Sequence, residues 1–235
     1  MKIGGFVKNS FVDYPGLIST CIFTVGCNLN CWYCHNKHLL IDQQKLINEE
    51  EIFEFLSSHK GFIDAVVVSG GEPTMQKDLK EFLTKVKSMG FKVKLDTNGT
   101  NFKVLKEVIE QNLVDYVAID IKSPLEKYEQ IICSSVDIKN VQMCISYLLN
   151  SSIEYEFRTT FSSDLTVEDI KKICDVISGA KNYSLQKFRS NFVDKNNLSI
   201  DLKEKFNLSE HTKQDFEECM IYAKSKIKNV VIKGL

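Results

Sequence analysis

The chain has 235 residues, 43% of them apolar and 26% charged, with a formal net charge of −1. That length can bury a sizeable core in one large domain or two small ones, and a near-neutral balance with Lys and Arg spread along the whole chain argues against a nucleic-acid binder. No apolar run approaches the roughly 20 residues that span a bilayer, and the opening stretch MKIGGFVKNSFVDYPG lacks the apolar core of a signal peptide. A cytoplasmic protein is expected, with no membrane partner. In that compartment eight cysteines read as thiols or ligands rather than disulfides. Three prolines and no low-complexity tract leave no obvious linker, so residues 1–235 are taken as a single domain.

From residue 18 onward, short β-branched runs alternate with longer amphipathic ones. Strands are predicted at 18–25, 65–70, 92–98, 116–122, 154–161 and 183–188. Helices are predicted at 48–59, 77–90, 101–113, 139–151 and 166–179, with apolar residues three and four apart, as in Leu79, Phe82, Leu83 and Val86. Asn48 ahead of three Glu and Thr166 ahead of Glu168 and Asp169 are start signals, while Gly90 and Gly179 are stop signals. Residues 189–213 are polar and irregular. A last helix at 214–226 and a closing strand in NVVIKGL follow. Six alternations of strand and helix imply βαβ units, a parallel sheet and right-handed crossovers that curl it into a barrel or wind it both ways.

The polar motifs share one kind of place. GCNLNCWYCHNK follows the first of these strands, SGGEP ends the second, DTNG the third and DIK the fourth. Sites of parallel α/β folds lie at the carboxyl ends of strands, where the loops converge. Cys27, Cys31 and Cys34 put three thiols in one loop. Sulfur ligands in that number suit zinc or an iron–sulfur cluster. Zinc would need a fourth ligand, for which His38 is the candidate, with His35 nearer but awkwardly aimed. A 4Fe–4S cluster on three cysteines would keep one iron open.

C-x3-C-x2-C after a first strand, with GGEP at the end of the second, resembles the radical S-adenosylmethionine (radical SAM) superfamily. The run FVDYPGLISTCIFTVGCNLNCWYCHN is similar to the opening of the glycyl-radical-enzyme activating proteins. The DYPG element, the QKFR strand end and the short chain are most like the branch acting on anaerobic ribonucleoside-triphosphate reductase. The resemblance implies a partial (β/α)6 barrel, open at one side, TIM-like with parallel strands. It also implies one 4Fe–4S cluster on Cys27, Cys31 and Cys34 that reductively cleaves S-adenosylmethionine to form a radical on a glycine of a partner enzyme. An electron donor such as flavodoxin or ferredoxin is implied as a second partner. The alternatives are an activator of a formate-lyase-type enzyme, a small-molecule radical SAM enzyme such as carboxydeazaguanine synthase, and a zinc-stabilised binding module.

The resemblance, together with the residues' own place and chemistry, suggests the supporting roles. Tyr33, His35, Gly70, Gly71, Glu72, Asp96 and Asp120 are expected to contact S-adenosylmethionine, the glycines by letting backbone polar groups reach its methionine moiety. Asp96, Thr97 and Asp120, with the carbonyl of Ala118, would line a monovalent cation site beside the cofactor. Lys122 would pair with the methionine carboxylate. Arg158, costly to bury unpaired, would face an anionic partner, and Gln186 and Phe188 would meet adenosine. Trp32, between two ligands, would shield the cluster. The other five cysteines read as buried thiols. Residues 189–213, with Arg189 and Phe192, are expected to help bind the partner enzyme.

Overall fold

The computed structural model describes residues 1–40, 45–190 and 210–235. Most of the expected partner-binding segment, including Phe192, lies outside the described residues. The strands are β1 Ile3–Ser10, β2 Ser19–Thr24, β3 Ala65–Gly70, β4 Lys92–Thr97, β5 Tyr116–Asp120, β6 Glu154–Phe161, β7 Asn182–Lys187 and β8 Asn229–Lys233. They follow chain order in the sheet. Among the described residues the α-helices are α1 Glu49–Ser58, α2 Leu79–Ser88, α3 Phe102–Glu110, α4 Tyr128–Ile132, α5 Ile138–Leu149, α6 Val167–Val176 and α7 Lys213–Lys226. None of them is long and apolar enough to cross a membrane.

The chain divides into two compact units. The first comprises Met1–Asn28, Asn36–Ala118 and Ser152–Glu154. In it β2, β3 and β4 pair in parallel, each crossover carried by a helix. Strand β3 reads as a continuous Val run because both its faces are covered: Val66, Val67 and Val68 are buried, as are Val93 and Leu95 on β4. The helices obey their sequence signals. Asn48 accepts the Glu50 amide at the start of α1, and α2 buries Leu79, Phe82, Leu83 and Val86, with Phe82 against Phe53 at a ring separation of 5.1 Å. Gly90 takes φ +91° after α2, a left-handed stop that a side chain would strain.

Strand β1 was not foreseen. It pairs antiparallel with β2 through two register shifts. Its paired glycines and mixed exposure erase the alternation by which a strand is recognised. The loop after it leaves Phe11 and Val12 exposed but tucks Tyr14 into a cluster with Cys21, Ala65, Val67 and Tyr116.

The second unit comprises Leu29–His35, Ile119–Ser151 and Tyr155–Leu235. Here β6, β7 and β8 pair in parallel. Helices α6 and α7 each begin with a capping box, Thr166 with Asp169 and Thr212 with Asp215, which satisfies amides that a helix start otherwise leaves unpaired. Phe157, Phe161, Tyr183, Leu185 and Phe216 form its core. The short α4 ends where Cys133 adopts φ +50°, a turn too brief for periodicity to show.

Candidate active site

In the first unit the ends of β2, β3 and β4 are drawn together by glycine. Gly70 takes φ +110°, and a Cβ there would lie 2.3 Å from the Thr24 amide nitrogen. A Cβ on Gly71 would lie 2.0 Å from the Gly26 carbonyl oxygen. The Glu72 amide donates to that same carbonyl at 2.8 Å, and the Gly71 amide donates to the Thr24 carbonyl at 2.9 Å. GG in SGGEP is therefore a close backbone approach that places Cys27, one residue beyond Gly26.

Glu72 turns inward. Its carboxylate is buried and accepts from the Thr74 amide and hydroxyl at 3.0 and 2.6 Å, the Thr97 hydroxyl at 2.6 Å and the Asn98 amide at 2.7 Å. Burial pushes its pKa above the ordinary value, the four donors only partly offsetting that. Glu72 thus bolts SGGEP to DTNG. Asn98 in turn reaches the cysteine loop: its side-chain amide donates to Asn28 Oδ1 at 3.0 Å and to Cys27 Sγ at 3.8 Å. This bond to the sulfur of Cys27, an expected cluster ligand, has no signal in the sequence beyond the place of Asn98 inside DTNG. Asp96 accepts from the Ser69 hydroxyl at 3.2 Å and lies 3.4 Å from Lys94 Nζ. Ala118 is buried on β5.

The second unit gathers the rest of the loop with the DIK strand end. Asp120 accepts from Arg158 Nε at 2.7 Å and Lys122 Nζ at 3.0 Å. Desolvation works to raise the carboxyl's pKa, but the two cations outweigh it and hold it well below the carboxylate range. Lys122 stays charged by the same logic: burial opposes its charge, and Asp120 overcomes it. Arg158, expected to face an anion, already has one in Asp120. Trp32 is fully buried, donates to Asp164 at 3.0 Å and packs edge-on against Phe188 and Tyr33. Phe188 is 1% exposed and props the cysteine loop through Trp32. Gln186 is half-buried on β7, Cys31 is buried and Cys34 half-buried. His35 stands at the surface, its charged form disfavoured by desolvation and then by Arg189 and Lys122.

By chemistry the donor set suits a cluster, three thiols in one loop, but among the described residues no group of three or more His, Cys, Asp or Glu is drawn together closely enough to hold a metal ion. None of the eight cysteines is in a disulfide, so the three loop thiols are available as ligands. Tyr33 Oη is buried without a hydrogen-bond partner among the described residues, a position that a polar ligand group would satisfy.

The family profile described as Radical SAM superfamily matches residues 21–177. A Methanocaldococcus jannaschii protein, whose name carries a provisional assignment as a glycyl-radical enzyme activating enzyme, is 40% identical over 195 residues, 79% of each chain. Among solved structures, S-adenosylmethionine-bound SuiB of Streptococcus suis matches with TM-score 0.66 at 13% identity, over 89% of this chain and 48% of that one. This chain thus spans about half the length of SuiB. A domain of pyruvate-formate lyase-activating enzyme from Bacteroides vulgatus matches with TM-score 0.56 at 16% identity, over 73% of this chain and 99% of that one. At these identities the structures show the fold, and it is the expected α/β class with a mostly parallel, unclosed sheet.

Proposed function

This chain belongs to the radical SAM superfamily, and from that premise we propose that it activates an anaerobic ribonucleoside-triphosphate reductase by forming a radical on one glycine of that enzyme. The superfamily's cofactors are a 4Fe–4S cluster and S-adenosylmethionine, and the relative at 40% identity carries a glycyl-radical activator's name. The observation that carries the finer reading is the loop itself: Cys27, Cys31 and Cys34 followed by His35 and Asn36, with VDYPG ahead of the strand.

Held by Cys27, Cys31 and Cys34, a 4Fe–4S cluster would supply, with an electron from a reductant of the flavodoxin or ferredoxin class, the reductive cleavage of S-adenosylmethionine that makes hydrogen-atom abstraction from a glycine possible. The protein's part is to bind and orient. Cys27, Cys31 and Cys34 would hold the cluster, with Asn98 fixing the first sulfur. Gly70 and Gly71 keep β3 close enough to β2 to set the loop's start. Tyr33, Asp120, Lys122 and Arg158 would contact S-adenosylmethionine, Lys122 and Arg158 offering cations to its carboxylate while Asp120 holds both in place. Packing of Trp32 on Phe188 keeps water from that side of the loop. The chain from 1 to 235 is read as one radical SAM domain.

The test is anaerobic reconstitution, reduction and incubation with S-adenosylmethionine and purified partner enzymes, read by electron paramagnetic resonance. A glycyl radical on the reductase, with one 5′-deoxyadenosine per radical, is expected. A radical formed on a formate-lyase-type enzyme and not on the reductase would overturn the assignment of partner. No 5′-deoxyadenosine at all would overturn the assignment of chemistry.

A further inference from the structure

Lys94 sits in the middle of β4, where a lysine is out of place. Its side chain is 3% exposed. Burying an ammonium is expensive unless it is paired and hydrogen-bonded, and here it has partners among the described residues. Nζ donates to the Asp13 carbonyl at 2.6 Å, lies 3.4 Å from Asp96 Oδ1 and stands 5.5 Å from the centre of the Tyr116 ring. Residues two apart on a strand share a face, so the ammonium is delivered directly under the Asp96 carboxylate. The other Asp96 oxygen is engaged by Ser69, and the Thr97 hydroxyl is turned to Glu72. Asp96 Oδ2 and the Thr97 hydroxyl are therefore already hydrogen-bonded within the protein, while Asp96 Oδ1, buried with no hydrogen bond among the described residues, has the Lys94 ammonium in ion-pair range.

We propose that Lys94 is the built-in counter-cation of Asp96, taking with its ammonium the place a recruited sodium or potassium ion would fill. The same side chain is a positioning residue, because its bond to Asp13 fastens the VDYPG loop beneath the DTNG strand end. Tyr14, next in that loop, packs into the cluster with Tyr116, so the loop, the lysine and Asp96 form one connected piece. The link from Asp96 to S-adenosylmethionine rests on the proposed function. The ion pair itself does not.

The experiment has two arms. In the first, the thermal midpoint of the cluster-free protein is measured in sodium, potassium and choline chloride at equal ionic strength. Wild type is expected to be the same in all three, since its cation is internal. Lys94→Ala removes the ammonium and leaves room for a small ion. It should melt about 10 °C lower in choline, in line with the loss of one partner of a buried pair, and recover part of that loss in potassium or sodium. Lys94→Ala with Asp96→Asn should show no such recovery. In the second arm, S-adenosylmethionine affinity of the reconstituted enzyme is titrated in the same salts, and only Lys94→Ala should depend on the cation. A wild-type midpoint that rises in sodium or potassium over choline would overturn the proposal without any variant, as would a Lys94→Ala protein indifferent to the cation. If no form binds S-adenosylmethionine but the first arm behaves as described, the ion pair stands and the proposed function falls.

Discussion

Replacing Gly71 by alanine tests whether the glycines of SGGEP set the position of the cysteine loop. The added Cβ would stand 2.0 Å from the Gly26 carbonyl oxygen and 2.7 Å from its carbon. Both are backbone atoms, so no rotamer change relieves the clash. Real Cβ contacts do not close below 3.0 Å, so the two backbones must part by about 1 Å, a case of overpacking that costs about 1–3 kcal/mol. The same movement strains the bond from the Glu72 amide to Gly26, 2.8 Å long, adding about 0.5–1.5 kcal/mol if it is lost. A total of about 2–4 kcal/mol in a chain of this size lowers the melting midpoint by roughly 5–15 °C. Because Gly26 precedes Cys27, the shift also displaces the first ligand sulfur, and iron bound after anaerobic reconstitution should fall well below wild type. Gly61→Ala is the control. Gly61 has φ +87° but nothing within 4 Å of an added Cβ, so the substitution carries only a backbone cost of about 1–2 kcal/mol and should leave iron content unchanged. A Gly71→Ala protein with the wild-type midpoint and full iron would refute the reasoning.

Three further outcomes are expected. Cys27→Ala, Cys31→Ala or Cys34→Ala should each abolish iron binding in reconstituted protein, whereas Cys174→Ala should retain it, since burial chiefly, with Asp175, pushes the Cys174 thiol up to about 12; iron and sulfide analysis decides. Asp120→Asn should destabilise the protein at neutral pH by about 2–4 kcal/mol by leaving Arg158 and Lys122 without their anion. The Asp120 carboxyl is depressed in the folded state, so its contribution is present above the ordinary value of 3.8 and is lost as pH falls below it, and the variant's acid-denaturation limb should be flatter than wild type's. Glu72 runs the opposite way: its raised folded pKa gives a stabilisation greatest below 4.5 that is lost as pH rises through the raised value. Urea midpoints of wild type and Glu72→Gln should therefore diverge as pH rises above 4.5, and parallel curves would count against a buried, reluctantly ionised carboxylate.

What the sequence made legible was periodicity and place. The apolar spacing of Leu79, Phe82, Leu83 and Val86 and the caps at Asn48 and Thr166 are local signals, set by which side chains lie on one helical face or reach a free amide, and they recur in the structure. The motifs at strand ends were legible because β3, β4 and β5 end where their β-branched runs end. Orientation was not legible. A motif gives residue type and position along the chain, but the direction of a carboxylate depends on donors far away in sequence. Glu72 turns to Thr97 and Asn98, 25 and 26 residues on, and Arg158 turns to Asp120, 38 residues back. Phe188 likewise packs on Trp32, a contact that no periodicity encodes. Lys94 is the instructive case, because a lysine between Val93 and Leu95 breaks the apolar run of a strand covered on both faces. Such a break is visible in the sequence, and the cost of burying the charge requires a partner, but only the fold shows that the partner is the carboxylate two residues along the same strand. A residue that defies the local pattern, as Lys94 does, is thus one whose explanation lies in the tertiary structure.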